Sequence, residues 1–156
     1  MVEAGAAEVT VTSTSRPSLL YAVKQVELAV RAHLDELLKP SGITALQYTA
    51  LTVLRRRDGL SSAQLARNSF VTAQSMSDLV TALERRGLIT RRRDPANRRR
   101  MVISLTDAAR ELLAEYDEPV QALEERMLSA LTARQRDSLR SSLNACRAAL
   151  ADQPAH

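Results

Sequence analysis

The 156-residue chain has no tryptophan, one phenylalanine, one cysteine, two histidines and only four glycines. A single cysteine, Cys146, excludes an intrachain disulfide and leaves no cysteine-based metal site. His33 and His156 stand alone, without paired carboxylates or metal-ligand spacing, and no glycine-rich phosphate loop occurs. These absences argue against an enzyme and against a resident metal or cofactor. Aromatics make up 3% of the chain, so the core must be built from Leu, Val, Ile, Ala and Met, which suits packed helices better than a β-sandwich. No apolar run approaches the roughly 18 residues a membrane span needs. Residues 1–15 also lack the basic start and apolar stretch of a secretory signal. The sequence therefore reads as cytoplasmic, with no membrane partner.

What is abundant is arginine. The formal net charge is +4, and of 22 basic residues only Lys24 and Lys39 are lysines. Eight arginines fall within a short stretch: Arg85, Arg86, Arg91, Arg92, Arg93, Arg98, Arg99 and Arg100. Such a local excess favours a polyanion, either nucleic acid or an anionic membrane surface, over a merely solvated face.

Residues 1–16 lack helical periodicity and read as a flexible tail, as do residues 152–156. Pro17 and Ser18 supply helix-start chemistry, and Leu19, Val23, Val26, Val30, Leu34 and Leu37 follow at steps of three and four until Pro40 and Gly42. A second helix starts at Thr44, with Leu46, Ala50, Val53 and Leu54 expected inward and the Asp58-Gly59 turn at its end. Ser61 and Gln64 form a capping box that opens a short third helix. Thr72 caps a fourth, with Met76, Leu79, Val80 and Leu83 inward and Gly87 as its stop. The period then changes. Leu88-Ile89-Thr90 and Met101 to Leu105 read as two strands around Asp94-Pro95-Ala96-Asn97, a hairpin with arginines on both limbs. Thr106 begins a long helix carrying Ala109, Leu112, Leu113, Tyr116, Val120, Leu123 and Met127, with Pro119 inside it as a candidate kink. Thr132 caps a last helix with Leu139, Leu143, Cys146 and Leu150 on one face. The fold expected is mainly α with a small β-hairpin wing: a winged helix-turn-helix lobe over residues 44–105, flanked by dimerisation helices over 17–43 and 106–151.

A helix-turn-helix lays its second helix in the major groove and reads base edges with the N-terminal residues. Thr72, Ala73, Gln74, Ser75 and Ser77 are small or hydrogen-bonding, which lets the backbone approach. Asp78, Thr81 and Arg85 complete the outward face. Gln can read adenine through two bonds, and Arg suits guanine or phosphate. A polar helix start is commonly just a good cap, but here the hairpin follows directly. Arg91, Arg92 and Arg93 precede its turn, and Asn97, Arg98, Arg99 and Arg100 end it. Arginine is a favoured group for a narrow minor groove, and six arginines on one short hairpin repel one another with no folding benefit. The hairpin has no exposed apolar wedge for a membrane.

The run Leu60-Ser61-Ser62-Ala63-Gln64-Leu65-Ala66, then Leu83-Glu84-Arg85-Arg86-Gly87-Leu88-Ile89, Asp94-Pro95-Ala96-Asn97-Arg98-Arg99 and Ile103-Ser104-Leu105-Thr106 resembles the multiple antibiotic resistance regulator (MarR) family, over roughly residues 18–150. The resemblance implies a homodimeric transcriptional regulator, most often a repressor, on a double-stranded pseudo-palindromic operator with half-sites about one helical turn apart. It also implies release by a small aromatic or phenolic effector. In that family a wing-tip Asp two residues before an inserted Arg helps orient it. The matching positions here are Asn97 and Arg99, so the charge-assisted bond is missing.

Leu19, Val23, Val26, Leu123, Met127, Leu139, Leu143, Cys146 and Leu150 exceed what one small lobe can cover, and a second copy is the simple cover; an intramolecular bundle is the alternative. Tyr21, Arg31, His33 and Tyr48, on or beside the first two helices, are the candidate ligand-pocket residues, against ordinary packing. Cys146, expected to face inward, reads as a small hydrophobe, with a redox-responsive regulator as the alternative. A nonspecific or architectural DNA-binding protein using the same wing is the other alternative.

Overall fold

The structure, a computed structural model, describes residues 16–69 and 71–151; of the tails expected over residues 1–16 and 152–156, all but Arg16 lies outside the described residues. Among the described residues six helices and one hairpin follow in the order α1 (Leu19–Leu38), α2 (Ala45–Arg56), α3 (Ser62–Ser69), α4 (Ala73–Arg85), β1 (Ile89–Arg93), β2 (Met101–Leu105), α5 (Asp107–Met127) and α6 (Ala133–Leu150). A short 3-10 turn, Lys39–Ser41, joins α1 to α2.

Local chemistry sets the helix starts. The side chains of Ser18, Thr44, Thr72, Thr106 and Thr132 each accept the backbone N–H three residues on, satisfying a donor that the helix cannot. At Thr44 and Thr132 the glutamine three residues later returns the bond to the cap's own N–H. Ser61 and Gln64 do the same at α3, at 3.0 and 3.2 Å. α5 runs through Pro119 as one helix, so the proline does not divide it.

The core lies between α2, α3, α4, the sheet and the first half of α5. Leu51, Leu54, Leu65, Met76, Leu83, Ile103 and Leu113 are fully enclosed there. The inward face of α2 corrects the expectation. Ala50 and Leu54 are buried as expected and Val53 is half-buried, but Leu46 is exposed, and Ala45, Tyr48 and Leu51 turn inward instead. α2 carries two apolar stripes, and contacts with α1, α3, α5 and β2 select this one. β1 pairs antiparallel with β2, Ile89 opposite Leu105 and Arg93 opposite Met101. Leu60 adds a bridge to Ile103, whose N–H donates to the Leu60 carbonyl at 2.8 Å.

Outside this lobe the chain is open. No residue of α6 is buried. Only its start is tied down: Arg136 donates to Glu125 Oε2 (2.8 Å) and to the carbonyls of Leu128 (3.1 Å) and Leu131 (3.3 Å), at the end of α5. Leu19, Val23, Val26, Met127, Leu139, Leu143 and Leu150 are exposed, up to 85% at Leu19, and Leu123 is half-buried. Cys146, on the same face of α6, is exposed with them in the single chain.

Candidate nucleic-acid interface

The stripe Met76, Val80 and Leu83 buries one side of α4, with Leu79 half-buried beside it. This leaves Ala73, Gln74, Ser75, Ser77, Asp78 and Arg85 exposed on the other side. Thr72 is exposed as the cap; its Oγ1 accepts the Ser75 N–H at 3.1 Å and donates to Ser75 Oγ at 3.0 Å. Thr81 is half-buried, and its hydroxyl bonds the Ser77 carbonyl, so it presents less of itself than the sequence suggested. With no acidic residue in the first turn, the positive end of the helix dipole meets no opposing carboxylate there.

The wing is a short ribbon closed by a braced loop. Asp94 N–H donates to the Arg100 carbonyl (2.8 Å), and Arg100 N–H to the Asn97 carbonyl (2.9 Å). Asp94 Oδ1 accepts from Ala96 N–H at 2.9 Å, the side-chain turn that aspartate favours. Asn97 Oδ1 accepts the backbone N–H of Arg99 at 3.2 Å, so it shapes the loop and leaves the Arg99 guanidinium unheld. Arg98, Arg99 and Arg100 lie in the loop, not on the second limb as expected, because β2 begins at Met101.

The six wing arginines are not equivalent. Arg91 forms a two-pronged ion pair with Glu84 of α4, Nε to Oε2 at 3.0 Å and Nη2 to Oε1 at 2.9 Å. The Arg91 guanidinium holds the Glu84 carboxyl below the ordinary carboxylate range. Arg93 donates to the Arg98 carbonyl at 2.8 Å. Arg100 is half-buried and turns back onto Gln64 of α3. Its Nε is enclosed, so it is a strut to the first helix of the motif rather than an outward cation. Arg92, Arg98 and Arg99 are exposed, with no ion pair or side-chain hydrogen bond among the described residues.

The candidate ligand residues do not converge. His33 lines a cleft of about 380 Å³ between α1 and α5, where its Nε2 lies 3.1 Å from Arg126 Nη2. A guanidinium has no acceptor, so the imidazole nitrogen must accept. Leu37, Pro119, Ala122 and Leu123 give this cleft an apolar wall. Tyr48 lies beside a separate hollow between α2 and α5, near the paired Arg55 and Asp117 (2.9 Å), and burial pushes its phenol up. Tyr21 is exposed on α1, and Arg31 pairs with Glu27. Arg126 was missed from sequence because its partner lies 93 residues away. Among the described residues no cluster of metal-ligating side chains occurs, and no helix is long and apolar enough to cross a membrane.

A polar helix face beside an arginine-bearing ribbon, on a lobe flanked by long helices, defines a winged helix-turn-helix regulator. Comparison with known proteins makes the assignment specific. The MarR family profile matches residues 41–100. The chain is 32% identical over 123 residues to the HTH-type transcriptional repressor Rv2887 of Mycobacterium tuberculosis, covering 79% of this chain and 88% of that protein. The chain belongs to the MarR family. Among solved structures it is similar to the transcriptional repressor CouR bound to a 23-mer DNA duplex, with 30% identity and a TM-score of 0.72 over 83% of this chain and 92% of that one. It is also similar to Rv2887 in complex with p-aminosalicylic acid, with 30% identity and a TM-score of 0.67 over 83% and 98%.

Proposed function

We propose that this protein is a homodimeric, sequence-specific transcriptional repressor that binds a pseudo-palindromic operator and lets go when a small aryl carboxylate binds. A cytoplasmic site of action follows from that target. The observation that carries the reading is the exposed polar start of α4 beside a wing whose Arg92, Arg98 and Arg99 are uncompensated. The start of α4 enters the major groove, with Gln74, Ser75 and Ser77 nearest the bases. Arg99, with Arg98 beside it, reaches the minor groove, and Arg92 meets a flanking phosphate. Dimerisation is supported by α6 and the first turns of α1, whose apolar side chains find no cover among the described residues. The effector reading rests on the cleft of His33 and Arg126. A carboxylate there would compete with His33 for the guanidinium while a ring lies on Leu37, Pro119 and Leu123. Salicylate chemistry is the first probe, since Rv2887 has been captured with salicylic acid.

The test is selection of bound fragments from the source genome, followed by binding to the best fragment and to a scrambled duplex at one salt concentration, with and without salicylate. A preference of at least ~10³-fold for the selected fragment is expected. Comparable affinity for the scrambled duplex would replace this reading with nonspecific DNA coating. Release by salicylate in the native protein but not in Arg126→Ala would support the cleft, and equal release would dismiss it.

A further inference from the structure

The eight arginines of residues 85–100 differ in what each already holds. Arg86, Arg93 and Arg100 donate to neutral acceptors, namely the Ser41 carbonyl, the Arg98 carbonyl and the Gln64 amide, and so keep their charge. Arg85, Arg92, Arg98 and Arg99 carry no ion pair or side-chain hydrogen bond among the described residues. Among the described residues, Arg91 alone in this set forms a salt bridge, through two parallel bonds to Glu84. The pair spans the turn at Gly87 and ties the last turn of the recognition helix to the first limb of the wing. Both side chains are more than a third exposed, at 35% and 40%, and a pair so exposed contributes little to folding.

Its effect on DNA binding is larger in principle. A cation that neutralises a phosphate releases counterions and strengthens binding to any duplex, whatever its sequence. A carboxylate held against that cation cancels the gain. On the DNA-binding reading above, we propose that Glu84 is a specificity-determining residue: its two-pronged bond withdraws Arg91 from the phosphate-binding set and fixes the base of the wing to the recognition helix. Sequence-independent binding is thereby held down, and the two reading elements dock as one unit. Glu84 is exposed and acts through Arg91, so it is a positioning residue.

The experiment measures the salt dependence of binding to a random-sequence duplex for the native protein, Glu84→Gln and the double variant Glu84→Gln/Arg91→Gln. Both changes are at exposed positions, and unchanged thermal melting checks the fold. In Glu84→Gln the slope of log K against log salt should steepen by about 0.9 for each wing engaged, which is ~8-fold tighter random binding at 0.1 M salt relative to 1 M. Preference for the selected operator should fall with it. In the double variant the freed cation is gone, and the slope should return to the native value. An unchanged slope in Glu84→Gln would overturn the proposal. So would a double variant shallower than native by about 0.9 per wing, because Arg91 would then already be a phosphate contact. Native protein that binds no duplex at low salt would sink the regulator reading and this proposal together. Native binding with steep salt dependence that neither variant alters would sink only the role of Glu84.

Discussion

Replacing Gly42 by alanine introduces two costs that can be measured apart. Gly42 has φ +73°, a left-handed conformation in which a side chain costs about 1–2 kcal/mol. Gly59 has φ +72° and should incur the same cost. The two sites differ in what an added Cβ would meet. At Gly59 nothing lies within 4 Å, whereas at Gly42 the Cβ would fall 3.3 Å from Arg86 Nη1 and 3.6 Å from Nη2. That guanidinium cannot retreat freely, because Nη2 donates to the Ser41 carbonyl at 2.5 Å. Shifting it by a few tenths of an ångström weakens a bond of typical net value about 0.5–1.5 kcal/mol. Gly42→Ala should therefore cost about 1.5–3.5 kcal/mol, against about 1–2 for Gly59→Ala. Urea denaturation with a common slope gives both values. In an Arg86→Ala background the surplus at Gly42 should vanish, since the group it displaces is absent. Equal costs at Gly42 and Gly59 in the native background would refute the argument and show that Arg86 yields without loss.

Arg99→Ala should weaken operator binding by ~1–3 kcal/mol in a fluorescence-anisotropy titration while leaving the melting temperature unchanged; undiminished affinity would remove Arg99 from the groove. Leu143→Glu puts a charge on the uncovered face of α6 and should yield monomers by light scattering, so a dimer of native stability would contradict the assembly proposed for these helices. Glu27 and Glu84 are held below the ordinary carboxylate range by Arg31 and Arg91 respectively. Their folded values are depressed, so whatever stability they add is complete above the unfolded value near 4.3 and is lost as pH falls through the folded values. Acid unfolding profiles should show a smaller loss below about pH 4 in Glu84→Gln than in the native protein, and identical profiles would show that the pair carries no pH-linked stability.

The local punctuation of the fold is legible in the sequence because each signal acts within four residues. Ser18, Thr44, Ser61, Thr72, Thr106 and Thr132 cap the helices expected of them, and β2 runs from Met101 to Leu105 as its composition predicts. A hydroxyl bonding an N–H three residues ahead needs no tertiary partner. The polar outer face of α4 is legible for a related reason, since one strong apolar stripe fixes which side turns in.

Where two answers are locally equal, only the tertiary structure decides. Leu46 and Leu51 are equally good inward residues for α2 taken alone. Packing against four neighbouring elements picks the phase that encloses Leu51 and leaves Leu46 in water. The arginines show the same division. Their number and place announce a polyanion, and nothing local tells Arg91 from Arg92. The chain reversal at Gly87 brings Glu84 to Arg91, the wing loop folds Arg100 onto Gln64 from 36 residues away, and the end of α4 brings Arg86 to Ser41 across 45. By itself the sequence determined that this protein carries a reading helix and a cationic wing, because composition and short-range hydrogen bonding suffice for that. Which cations remain for DNA was decided by tertiary structure, because a charge is spent or left according to what long-range contacts place within about 3 Å of it.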